Sequence, residues 1–223
     1  MRCARVTLCS LLLTAAVAGC GAIAAGHGKA TLWVTRDRGA QRMLVRTVPA
    51  GLSAMQALER VAKVETRYGG RFVQSIDGLS GSLSDERDWF YFVNGVEGDR
   101  SAAEYRLRPG DVEWWDYRSW RGQMSVPVVV GAFPEPFVHG FDGKVPPAVV
   151  IGRGAPARRL ARIVHGRVAT SAPPGASVLR LTHGPLRFTA RPRGQGAFEF
   201  VYSGSAARLA RSPRRFRFRY SVP

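Results

Sequence analysis

Residues Trp89 to Trp120, WFYFVNGVEGDRSAAEYRLRPGDVEWWDYRSW, decide how this chain folds. They hold four of its five tryptophans and two turn signals, Asn94-Gly95 and Pro109-Gly110-Asp111. Asn-Gly between large apolar residues marks a hairpin, because a type I′ turn needs positive φ at both central positions. The pattern predicts two aromatic strands, 89–93 and about 111–118, in one small sheet. Along the first, Trp89, Tyr91 and Val93 face one way and Phe90 and Phe92 the other. Along the second, Glu113, Trp115 and Tyr117 share a face, and Trp114 and Asp116 share the opposite one. Two adjacent tryptophans on opposite faces cannot both enter a single core. At least one of Trp114 and Trp115 is therefore expected to be exposed or to lie beneath a second unit.

Upstream, Lys29–Thr35 and Arg42–Val48 alternate with period two around the turn Asp37-Arg38-Gly39 and read as paired strands. Ser53 opens a helix through the capping box Ser53-x-x-Gln56, with Leu52 placed as a staple. Ala54, Leu58, Val61 and Ala62 fall on one helical face, and Gly69-Gly70 is read as the stop. A strand at Phe72–Ile76 precedes the aromatic pair. The predicted order is β-β-α-β-β-β: an α+β, β-grasp-like domain over 30–121 with one helix across a mixed sheet.

Residues 122–223 read as a basic, β-rich C-terminal unit. Val126–Val130, Pro147–Ile151, Ser177–Leu181, Leu186–Thr189 and Ala197–Tyr202 have strand character, and Arg158–His165 that of a short helix. Phe133, Phe137 and Phe141, around two prolines that fix φ, are expected to wedge against the first domain. Glu135 and His139 alternatively line a site at the junction. The alternation Arg214-Arg215-Phe216-Arg217-Phe218-Arg219-Tyr220 suits an edge strand with a basic outer row.

The N-terminus points to export. Arg2 and Arg5 precede an apolar run, Leu8–Val17, that is too short to span a bilayer. Val17-Ala18-Gly19-Cys20 then fits a lipoprotein signal, with residues 1–19 as the signal peptide, Cys20 as the lipidated residue and 20–29 as a tether. The expected location is the outer face of the cell membrane of a bacterium. The three cysteines are Cys3, Cys9 and Cys20, so the mature chain has neither a disulfide nor a cysteine metal site.

The formal charge of +17 is unevenly spread. Residues 20–150 carry 16 Lys+Arg and 15 Asp+Glu, whereas 151–223 carry 15 Arg and one acid, Glu199. Each cation held near an anionic bilayer contributes roughly 1 kcal/mol, so this half suits anionic lipid or wall polymer. No RNP, helix-turn-helix or zinc motif supports a nucleic-acid partner.

Catalytic signatures are missing from the sequence. His27, His139, His165 and His183 are scattered, with no His-x-x-x-His, so no transition-metal site is expected. Neither a Gly-x-Ser-x-Gly elbow nor a Ser-x-x-Lys pair occurs. Asp85, Glu86 and Asp88 lack EF-hand spacing and read as a solvated acidic turn. No cofactor and no enzymatic activity are expected.

One ordered series carries a family resemblance: Gly51-x-Ser53-x-x-x-Ala57-Leu58, Tyr68-Gly69-Gly70, Ser75-Ile76-Asp77-Gly78, Trp89-x-Tyr91-x-Val93-Asn94-Gly95, Tyr105-x-Leu107-x-Pro109-Gly110-Asp111 and Trp115-x-Tyr117. Over about residues 30–120 it resembles the transcobalamin-like C-terminal domain, akin to the small β-domain of transcobalamin and intrinsic factor. In those carriers the domain closes over cobalamin held by a larger helical domain, which has no counterpart here. The resemblance implies a small-molecule ligand, a corrinoid among the candidates, and a transporter as partner. From the residues themselves, Trp89, Tyr91, Trp115, Tyr117 and Trp120 are the stacking candidates, with Arg118 and Arg121 placed to pair with an anionic group. The rival reading is a cell-envelope protein whose basic C-terminal unit binds wall polymer, membrane or a protein partner.

Overall fold

The computed structural model describes residues 28–223, so Cys20, the signal segment and His27 lie outside the described residues. In chain order the elements are β1 (Lys29–Arg36), β2 (Gln41–Pro49), α1 (Ala54–Glu59), β3 (Val64–Arg67), β4 (Phe72–Ile76), β5 (Leu79–Ser80), β6 (Arg87–Val93), β7 (Val96–Glu97) and β8 (Val112–Ser119). There follow β9 (Ala148–Ile151), α2 (Gly154–Ile163), β10 (Arg167–Ala169), β11 (Ser177–Thr182), β12 (Arg187–Gly194), β13 (Ala197–Ser203) and α3 (Ala206–Arg211). The class is α+β, with mixed sheets and few helices.

The first sheet runs β2-β1-β8-β6-β7, with β1 and β8 parallel at its centre. The aromatic strands pair antiparallel as expected, Trp89 opposite Tyr117 and Tyr91 opposite Trp115. Asn94 and Gly95 adopt φ of 54° and 77°, the left-handed pair that a type I′ turn requires, and join β6 to the short β7. Helix α1 is capped as predicted, Gln56 N donating to Ser53 Oγ and Ser53 N to Gln56 Oε1. Six residues cannot sustain a helix alone. Burial of Ala54, Ala57 and Leu58 against the sheet holds it in place.

The helix is shorter than its apolar spacing suggested. It ends at Arg60, and Val64–Arg67 forms a hairpin with β4 instead. β-Branched Val64 and Thr66 favour extended backbone. Gly69-Gly70 (φ 66° and 84°) therefore turns a hairpin rather than stopping a helix.

Both faces of the first sheet are covered. Trp89, Val93, Trp115 and Tyr117 pack beneath α1 with Leu32, Leu58 and Ile76. On the reverse face, Trp33, Phe92 and Trp114 are covered by Val129, Ala132, Phe218 and Tyr220 from downstream. Trp115 is thus 3 % exposed and Trp114 fully buried, each in its own core. Trp114 meets the expectation by lying under downstream chain. Of the two alternatives, surface exposure is the one that does not occur.

The cover over Trp114 is held by a buried carboxylate. Asp116 accepts from Thr35 Oγ1 (2.5 Å), Arg38 N and Gly39 N (both 3.0 Å) and Tyr220 Oη (2.9 Å). The predicted edge strand at 214–220 is not a strand. Its backbone turns, with Phe218 at φ 66°, so Phe216 enters the C-terminal core while Phe218 and Tyr220 reach the first sheet. Alternation there reports two separate burial sites.

The second sheet runs β10-β9-β11-β13-β12, parallel except for edge strand β12. Phe133 and Phe137 pack against Phe200 inside this unit's core, which also takes in Val96 of β7, and Phe133 lines a small cavity shared with Trp33 of β1. Phe141 reaches furthest toward the α1 side, meeting the Tyr105 ring at 5.2 Å. Val126–Val130 makes one bridge, Val128 to Val96, instead of a strand. Helix α2 starts at Gly154, four residues before the expected Arg158, and a further short helix, α3, is capped by Ser205 two residues after β13.

Candidate functional site

Between the first sheet, α1 and the β3–β4 hairpin lies a cavity of about 520 Å³. Strand β6 supplies Trp89 and Tyr91, and β8 supplies Trp115; Met55 of α1 and Ala102 close one side, and Tyr68 and Phe72 of the β3–β4 hairpin form the mouth. Period two on paired strands puts the three sheet aromatics on one face, and their register makes them neighbours. Tyr91 stacks on Trp115 with centroids 5.1 Å apart at 27°.

Their polar atoms are tied off inside the protein. Trp89 Nε1 donates to Leu79 O (2.8 Å), Trp115 Nε1 to Glu113 Oε1 (2.5 Å) and Tyr91 Oη to Arg100 O (2.5 Å). The wall therefore offers fixed ring faces with few free donors. Burial, with the Asp99 charge adding to it, raises the Tyr91 phenol above its ordinary value, so it is neutral at physiological pH. Gly98 makes room for this ring: a Cβ there would stand 2.1 Å from Tyr91 Cζ.

The rim is open and charged. Tyr68 is 78 % exposed and meets Phe72 edge-on at 6.3 Å. Arg71 pairs with Glu104, and Arg100 bridges Asp99 (2.8 Å) and Asp142 (3.1 Å). An apolar aromatic interior with a polar rim is the usual build of a small-molecule pocket, and its volume lies within the ordinary range of about 300–1,000 Å³.

Of the seven residues singled out from sequence, Trp89, Tyr91 and Trp115 meet here, and four do not. Tyr117 packs on Trp89, its hydroxyl donating to Ser80 O (3.0 Å). Arg118 points to the reverse face, where it is 0 % exposed. Its guanidinium donates to Gln123 O and Met124 O (both 2.9 Å) and lies 3.6 Å over the Phe90 ring. Such a group pins the 120–124 turn and, fully buried, does not line the aromatic cavity. Trp120 is half-buried beyond the end of β8, its backbone N–H donating to Glu86 O (2.9 Å), and Arg121 pairs with Glu86 on the surface.

Met55, Tyr68 and Phe72 were missed. A helix stopped by Gly69-Gly70 gives Tyr68 no such place, and only the 64–76 hairpin puts it at a cavity mouth. In the acidic turn, Asp85 accepts from Ser82, and Asp88 accepts from Trp89 N (2.8 Å). Among the described residues no cluster of His, Cys, Asp and Glu has metal-site geometry.

A second cavity, of about 590 Å³, lies at the carboxyl ends of β9, β10 and β11. The order β10-β9-β11 reverses direction there, the position at which open parallel sheets commonly bind ligands. Its polar lining, Arg153 and His183, is exposed, and no buried polar side chain converges on it. The aromatic cavity is the better-formed candidate although it is slightly smaller.

Comparison with known proteins gives a family match over part of the chain and similarity to solved structures over about two fifths of it. Residues 51–119 match a family described as a domain of unknown function, DUF4430. No curated protein matches. Among solved structures, the chain is similar to a proposed metal-binding protein from Ruminococcus gnavus ATCC 29149, at 19 % identity and TM-score 0.34, covering 41 % of this chain and 97 % of that one. It is also similar to haptocorrin in complex with Cbi, at 18 % identity and TM-score 0.33, covering 40 % of this chain and 25 % of that one. The family match includes α1, Tyr68, Phe72, β6 and β8, and hence every wall of the aromatic cavity.

Proposed function

We propose that this chain is a non-enzymatic, extracytoplasmic ligand-binding protein, tethered through Cys20, that takes a ring-bearing small molecule in the aromatic cavity. One observation carries the reading: Trp89, Tyr91 and Trp115 converge with Met55 on a cavity of about 520 Å³ whose mouth is an exposed aromatic pair, Tyr68 and Phe72. Exposed aromatics at a cavity mouth are costly to leave in water and gain by stacking on a ligand. A corrinoid is the first ligand to test; being larger than the cavity, it would insert one edge and lie across the rim. Delivery to an uptake system belongs to the same proposal.

The test is isothermal titration of the full chain with cobinamide and cyanocobalamin. Micromolar binding, lost in a Tyr68→Ala/Phe72→Ala variant that keeps the native circular dichroism, is the expected result. Equal binding by the variant, or none by either protein, overturns the corrinoid reading. Trp115→Ala is unsuitable because it excavates the core under α1.

A second reading has its own observation. Of the 15 arginines in 151–223, only Arg180 and Arg191 have a carboxylate partner among the described residues, both on Glu199. The remaining cations suit an anionic envelope polymer or membrane. Salt-sensitive sedimentation with cell-wall material distinguishes this reading from salt-insensitive stacking in the cavity.

A further inference from the structure

Between the first sheet and the C-terminal segment lies a third, smaller cavity, of about 150 Å³, with a different chemistry. Its lining includes Trp33 of β1, Glu135 and His139, and Arg214 and Arg217. Trp33 is only 3 % exposed, yet its indole Nε1–H has no acceptor. Buried polar groups are nearly always paired, so an orphaned donor lining a cavity calls for an acceptor from outside the chain.

The arginines call for the same thing. The Arg217 guanidinium lies 4.5 Å over the Trp33 ring. Burial, then the Arg214 and Arg42 charges, lower its proton affinity, which marks a cluster of cations without a counter-charge. Neither Arg214 nor Arg217 has a carboxylate partner among the described residues. Glu135, the one acid in the lining, does not supply it. Its Oε1 is 2.8 Å from His139 Nδ1 and its Oε2 accepts from His139 N (3.0 Å), so both oxygens are engaged within their own loop.

We propose that this cavity binds a single phosphate group, free or as a monoester, through Arg214, Arg217 and the Trp33 indole N–H. Guanidinium forks match the oxygen spacing of phosphate, and the indole beneath Arg217 supplies a third donor. The volume equals that of about five waters, enough for one tetrahedral oxyanion and too little for a nucleoside. Bound there, the anion ties the 214–217 segment to β1 and links the C-terminal chain to the first sheet. This site is separate from the aromatic cavity and does not rest on its assignment.

The five tryptophans give five indole N–H signals in a ¹H–¹⁵N spectrum of the full chain, and Trp33→Phe identifies the relevant one. Orthophosphate, added at constant ionic strength, should shift the Trp33 signal saturably. In Arg214→Ser/Arg217→Ser that shift should vanish while the other four signals stay in place. Arg158→Ser/Arg159→Ser, on the exposed face of α2, should behave as wild type. Glycerol 3-phosphate in a parallel titration separates the sources. A shift with both ligands leaves the ester tail outside, and a shift with one assigns the ligand to it. No shift with either, a shift reproduced by chloride, or one retained in Arg214→Ser/Arg217→Ser overturns the proposal and leaves an adventitious ion only.

Discussion

Replacing Glu113 by Gln should remove a pH dependence of stability that the wild-type chain carries. Glu113 sits in β8 opposite Leu32 of β1 and Val93 of β6 and is fully buried. One oxygen accepts the Trp115 indole N–H, and the other has no partner. Burial pushes the carboxyl well above its ordinary value of 4.5, outweighing the Trp115 bond, and the Asp111 charge adds to the shift. The native chain therefore holds a proton on Glu113 at a pH where the unfolded chain has lost it. With the native state binding one proton more, stability falls as pH rises, by about 1.4 kcal/mol per unit between the unfolded and folded pKa values. Gln keeps the shape and the acceptor for Trp115 but takes up no proton. The stability difference between wild type and Glu113→Gln should change by about 1.4 kcal/mol per unit from ~pH 5 upward, or about 3–6 °C in relative Tm for a chain of this size. Asp88, Asp116 and Glu135 are also raised by burial, but they are present in both proteins and cancel in the difference. Urea unfolding followed by near-UV circular dichroism, repeated at three pH values, measures it. Parallel profiles for the two proteins would refute the reasoning and show Glu113 ionised in place.

Tyr220→Phe removes the one side-chain bond from the C-terminal segment to the buried Asp116 carboxylate and should cost about 1.5–3 kcal/mol in urea unfolding. Gly98→Ala, at a position without positive φ, places a methyl inside the Tyr91 ring position; it should destabilise by about 1–3 kcal/mol and, by displacing Tyr91, abolish cobinamide binding in titration calorimetry. Glu199 is held below its ordinary value by Arg191 and Arg180 against the cost of burial, so its contribution is present at neutral pH and lost as pH falls through the folded value. Because both arginines are largely solvated, Glu199→Gln should cost about 1 kcal/mol at pH 7, and its denaturation midpoint should converge with that of wild type below ~pH 4.

Legibility in the sequence followed the range of the forces involved. Asn94-Gly95, the Ser53–Gln56 capping box and the alternation in β1, β2, β6 and β8 are local signals, and each became the element it indicated. Trp89, Tyr91 and Trp115 could be placed on one face because strand periodicity alone determines it. What failed depended on contacts distant in the chain. Val61 and Ala62 continue a helical spacing, but pairing of Val64–Arg67 with β4 ends the helix first. Arg118 carries a charge that looked surface-bound until carbonyls of the 119–124 turn enclosed it. Phe216, Phe218 and Tyr220 alternate as a strand would, yet they serve two cores on either side of a turning backbone. The cavity mouth fell to the same limit, since Tyr68 faces Trp89 and Tyr91 only after the small hairpin docks.

The central claim is that the aromatic cavity holds a ring-bearing ligand, and Met55, in its wall, reports on it directly. The chain has four methionines; Met43 and Met124 are exposed and do not line the cavity, so ¹³C-methyl spectra give a local probe with internal controls. Titration of the full chain with cobinamide should move the Met55 methyl signal saturably at micromolar ligand and leave Met43 and Met124 in place. A Met55 signal that stays fixed while the others shift, or that stays fixed at saturating ligand, contradicts the account.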